Sequence, residues 1–315
     1  MRKIALAMVL AATSVQAAEE LKFGDLNYFL KTGEQNVSAD ISSTFSKQSV
    51  ADIDSEEETR GFLLETRYGY GINDQLNVYL GLDYAYDREV EDKTRNNTPP
   101  ADPKYDSNFN QDGLANPLLA ANYRFMNQNT NMYNVDFGAV ARINIEDAET
   151  GDAAGGESND GNFADPRSSL ELNARMGRKW NEANEWQLAA GLVYFNSGDY
   201  TVNDVNGDVD NEIESSTDLF LRASYQYRPV NEFMMLVSLQ GTRVGEIDDE
   251  FNGEEVTLDS HIDFDFRFTA KYLITDNFIA KFNYGQGFYA DYDVEDAEVD
   301  ERRENFYGLG VEFLF

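Results

Sequence analysis

From residue 36 onward, apolar and polar side chains alternate one for one in repeated blocks, and no other feature restricts the possible folds of this chain so sharply. "LNVYLGLDYAYD" sets Leu76, Val78, Leu80, Leu82, Tyr84 and Tyr86 against Asn77, Gly81, Asp83 and Asp87. "FLLETRYGY" sets Phe62, Leu64, Tyr68 and Tyr70 against Glu65 and Arg67. A period of two is that of a strand with one greasy and one polar face. Such blocks begin with "NVSADISSTF" and end with "FYGLGVEFLF", and they number twelve, so the expectation is twelve strands.

The connectors alternate too. Short ones carry turn residues, as in "GIND", "NEANE", "PVNE" and "ITDN". The long ones cover 47–59, 88–112, 146–165, 199–214, 246–259 and 291–304. These six stretches hold 39 of the 58 acidic residues and 7 of the 25 basic ones, so most of the net charge of -33 gathers on one rim. Short turns on one side and long loops on the other describe an all-β, antiparallel up-and-down barrel crossing a membrane.

The faces agree with that reading. The apolar parity is nearly free of charge through the strand centres, where hydrocarbon would penalise Lys or Arg by about 2–4 kcal/mol. The opposite parity carries Glu65, Arg67, Asp83, Arg124, Asp136, Arg142, Glu171, Arg175, Arg222, Asp263, Asp265, Arg267, Lys271, Lys281 and Glu312. A dry interior would have to pair every one of these charges, whereas a watery lumen need not. They are the expected pore lining. Closure into a barrel would also satisfy every strand edge, as a bilayer requires.

Residues 1–17 read as a secretory signal: Arg2 and Lys3, an apolar run, then small residues at "VQA". Residues 18–35 are expected on the periplasmic side or partly tucked inside, with the barrel over 36–315. The chain has no cysteine, so no disulfide framework is available to it. The large negative charge argues against nucleic acid as a partner.

This pattern resembles the outer-membrane β-barrels of Gram-negative bacteria, which implies the cell outer membrane as location and its lipid and lipopolysaccharide as neighbours. The resemblance also implies that Tyr307, Leu309, Val311, Phe313 and Phe315 form the terminal signal read by the barrel assembly machinery. Tyr70, Gly71, Ile72, Asp74 and Leu76, followed by Gly113 and Asn116, are similar to motifs of the MetA-pathway phenol-degradation-like outer-membrane transporters. That family more often has Asp at the place of Asn116. The likeness implies a transporter-like barrel and no particular solute.

Candidate chemistry is sparse. His261 is the sole histidine, and Ser260 beside it must point to the opposite face of a strand, so no hydrolytic pair forms and no enzyme is expected. "DVNGDVDNE" offers Asp204, Asp208, Asp210 and Glu212 around Gly207, but its glycine comes too early for a calcium loop of the EF-hand type. No cofactor and no dedicated metal site are expected. Weak, adventitious Ca²⁺ or Mg²⁺ binding by the acidic loops is the most that this composition supports, with the cation bridging to lipopolysaccharide phosphates. "GDAAGGESNDGN" lacks the Lys-Ser/Thr pair and helix of a phosphate loop. Two functions remain open: a channel for small solutes with a modest cation preference, and a closed structural or interaction barrel. The oligomeric state is not legible.

Overall fold

The structure is a computed structural model that describes residues 21–50, 55–94, 105–151, 161–203, 209–251, 254–289, 292–294 and 297–315. The signal segment, most of "GDAAGGESNDGN", and Asp204, Gly207 and Asp208 of the acidic loop lie outside the described residues. Twelve antiparallel strands close on themselves. They are β1 (Gln35–Val50), β2 (Ser55–Asn73), β3 (Leu76–Thr94), β4 (Tyr105–Leu114 and Leu118–Met126), β5 (Asn134–Arg142) and β6 (Ser169–Asn181). Then follow β7 (Asn184–Phe195 and Gly198–Asn203), β8 (Val209–Ile213 and Ser216–Val230) and β9 (Phe233–Arg243 and Ile247–Phe251). β10 (Glu254–Leu258 and Ile262–Thr275), β11 (Phe278–Tyr289 and Tyr292–Val294) and β12 (Ala297–Leu314) complete the wall. The seam is β1 against β12, with Val37 opposite Phe313 and Ile41 opposite Leu309. The expected strand number, closure and direction are all present.

Alternation decides which side chains meet lipid. Leu82, Leu172, Leu221, Leu239 and Leu309 stand exposed on the outer face. Among the described residues, nineteen buried residues are polar or charged and eleven are apolar. That inverts the distribution of a water-soluble domain. The one buried apolar cluster among the described residues is small and lies inside the barrel, where Phe23 packs on Met234 and Ile279.

The outer connections are long, yet much of their length is paired backbone. β1 runs to Val50, β2 starts at Ser55 and β3 continues to Thr94. Ile247–Phe251 and Glu254–Leu258 form a hairpin of their own. Backbone groups pair whatever charge the side chains carry.

Candidate functional site

The inward residues form cross-strand pairs. Arg67 of β2 donates from Nη2 to Asp83 of β3 at 2.9 Å and to Glu65 at 3.3 Å. Arg124 of β4 holds both carboxylate oxygens of Asp136 on β5, at 2.7 and 3.0 Å, and all of this is buried. Lys281 of β11 reaches Asp40 of β1 at 2.7 Å, where Asn283 also donates at 2.9 Å. Glu171 accepts from Asn173 at 2.7 Å, Arg175 donates to Asn122, and Glu312 accepts from Asn36 at 2.9 Å. Arg222, Asp265 and Arg267 face one small cavity, and Arg267 stands 5.6 Å from the ring centroid of Phe306. Asp263 lies 3.4 Å from His261 Nε2, Lys271 donates to Gly24 O at 3.3 Å, and Arg142 lines a larger cavity above.

The short-turn end of the lumen is occupied by residues 21–34. Asp25 is buried between Lys179 of β6 at 2.8 Å and Arg228 of β8 at 2.5 Å. Glu185 of β7 accepts from the backbone of Leu26 and Asn27 at 2.7 Å each. Arg124 donates to Asn27 O at 2.9 Å while its guanidinium lies 4.5 Å from the ring centroid of Phe29. Gly24 takes φ 91°, and a Cβ there would come within 2.9 Å of Ile279 Cδ1 and 3.1 Å of Met234 Cε, so this close approach needs glycine. Alternation of the flanking strands gave no hint of Asp25, Asn27, Lys179, Glu185 or Arg228 as a unit. The five are far apart in sequence, and the segment holding Asp25 has no strand period.

Above this plug lies a cavity of about 670 Å³ toward the acidic rim. Phe163, Phe195, Val193, Ile213 and Pro166 make its apolar wall, and Arg88, Arg142 and Arg167 add cations. Arg167 stacks over Phe195 at 4.5 Å and Arg88 over Phe163 at 5.2 Å. Arg88 was legible only as part of a loop. A register shift between Ala85 and Glu89, with Asp87 at φ 52°, turns it inward. Asn116 holds the segment that carries Phe163, donating from Nδ2 to Asp165 O and Arg167 O at 2.9 Å each. At the cavity lip Tyr200 donates to Asp249 at 3.0 Å. Burial is the main cause raising both groups above their ordinary values, and for Asp249 the Tyr200 hydrogen bond and Arg167 pull the other way. Among the described residues no cluster of three or more His, Cys, Asp or Glu could hold a metal ion.

Of the terminal aromatic set, Tyr307, Leu309 and Phe315 are exposed. Phe313 stacks on Phe278 at 4.3 Å and on Phe315 at 6.2 Å. Phe315 and Gln35 exchange two backbone hydrogen bonds, at 2.8 and 3.0 Å, which close the seam at its short-turn end.

No protein-family model matches the chain, and neither does any curated protein sequence. The fold is similar to the crystal structure of an outer membrane channel from Pseudomonas putida F1, with TM-score 0.57 and 14% identity over 94% of this chain and 100% of that one. The NanC porin gives TM-score 0.42 at 8% identity, covering 86% of this chain and 98% of its own. A TodX monoaromatic hydrocarbon channel mutant gives 0.45 at 7% identity, covering 91% of each chain. The first likeness is one of fold, and the apolar outer belt, charged interior and closed seam agree with it. The chain is a closed, twelve-stranded antiparallel β-barrel with an apolar outer belt and a charged interior.

Proposed function

We propose that the barrel is a channel for passive or facilitated diffusion of small solutes, with a modest preference for cations set at its outer mouth. The carrying observation is the cavity of about 670 Å³ within a lumen walled by charges. An interior meant only to hold the barrel shut would be expected to fill such a space. Acids and bases on the wall are nearly balanced, so the wall favours neither sign strongly. Loops 246–259 and 291–304 carry 15 acids and two bases, which makes the mouth potential negative.

The rival reading is a non-conducting structural barrel, and the packed segment 21–34 favours it. Single-channel recording of refolded protein in planar bilayers separates the two. Conductance is expected, with a reversal potential in asymmetric KCl that shows cation preference. Neutralising the acids of both loops should abolish the preference. At about 0.15 M salt the mouth field reaches only about 8 Å, so the preference should also weaken as salt rises. A silent wild-type barrel would establish the closed reading.

A further inference from the structure

Arg178 stands on the wrong face for a cation. Leu170, Leu172, Met176 and Trp180 share its parity on β6 and are exposed to the outside. Arg178 is only 8% exposed, because aromatic rings enclose it. Its register partner on β7 is Trp186, which puts the two Cβ atoms about 4.5–5.5 Å apart. Tyr133, in the turn before β5, has its ring centroid 5.9 Å from the guanidinium carbon. The rings of Tyr133 and Trp186 meet at 6.0 Å, and those of Trp180 and Trp186 at 6.2 Å. This box sits on the outside of the barrel beside the short turn Asn181–Asn184, at the periplasmic interface.

Two donors in the box lack acceptors. Arg178 Nε and Trp186 Nε1 are both buried without a hydrogen-bond partner. Lys179, one residue further, faces inward and has Asp25 at 2.8 Å. Among the described residues, the fold thus supplies an acid for the inward cation and none for the outward one. Buried donors in folded proteins are almost always satisfied, so an acceptor from outside the chain is called for. At this depth the available acceptor is a lipid headgroup, since tryptophan and tyrosine rings settle at that level.

We propose that Arg178 and Trp186 bind the phosphodiester of an inner-leaflet phospholipid, with its acyl chains lying along Met176, Leu172 and Leu188. The planar guanidinium fork suits two phosphate oxygens, and the indole N–H offers a third bond. A zwitterionic headgroup such as phosphatidylethanolamine adds no net charge to an acidic protein, and the acid-rich loops lie at the far rim.

The test is native mass spectrometry of the refolded protein titrated with phosphatidylethanolamine, beside Arg178→Leu and Trp186→Phe. Wild type should retain one lipid that Arg178→Leu loses. Trp186→Phe should weaken retention by about tenfold, the size of one hydrogen bond to a charged group. Diacylglycerol with the same chains should not be retained, and inorganic phosphate should not raise the melting temperature as phosphatidylethanolamine does. Equal retention of diacylglycerol would overturn the site, leaving acyl packing alone. An equal rise with inorganic phosphate would make it a free-anion site and overturn the lipid assignment. Should Arg178→Leu fail to refold, Trp186→Phe decides: unchanged retention overturns the proposal.

Discussion

Glu185 Oε1 accepts from both nitrogens of Asn27, backbone and side chain, each at 2.7 Å. Its other oxygen takes the N–H of Leu26 at 2.7 Å. A single carboxylate on the barrel wall therefore does for residues 26–27 what a neighbouring strand does elsewhere. Three such bonds to one side chain suit a segment with no ladder of its own.

Replacing Asp25 by Asn should loosen this segment. The change leaves Lys179 and Arg228 buried without the carboxylate they share, and breaking such a pair typically costs about 3–5 kcal/mol. Faster amide exchange at Leu26 and Asn27 is expected, together with larger and noisier single-channel conductance. Faster exchange with unchanged conductance would mean that the segment does not limit the path.

The contact between Tyr200 and Asp249 should respond to acid. Burial raises the Asp249 carboxyl above its ordinary value, so the folded site holds a proton more readily than the unfolded chain does. Its contribution to stability is then full below the ordinary value of about 3.9 and is lost as pH rises through the raised one. Amide exchange in Gly198–Asn203, corrected for intrinsic rates, should slow as pH falls through that window. Asp249→Asn, a mimic of the protonated form, should remove the dependence.

Gly285→Ala should strain the inner wall. A Cβ at Gly285 would run into the ring of Phe306, and the ring must swing away from Arg267. Overpacking of this kind costs about 1–3 kcal/mol, which should lower the urea midpoint of the refolded barrel. An unchanged midpoint would show that the Phe306 ring has room to move.

Deleting Phe315 should impair insertion more than solubility. The deletion removes two backbone bonds to Gln35 and one ring of the stack Phe278–Phe313–Phe315. Outer-membrane yield, read from heat-modifiable gel mobility, should drop. A yield equal to wild type would show that neither the seam nor the terminal signal depends on it.

Sequence by itself determined the wall of this protein. Alternation is local, since each residue's side of the sheet follows from its neighbours two positions away. Twelve strands and the outward-facing leucines could therefore be read without coordinates. What fills and interrupts the wall could not. Asp25 meets Lys179 and Arg228 only after closure brings β6 and β8 to the same end of the lumen. Arg88 turns inward only because a bulge near Asp87 breaks the period. Arg178 obeys the alternation, yet its aromatic box is assembled from a turn and two strands. These features depend on contacts between distant parts of the chain, and a two-residue period carries no information about those.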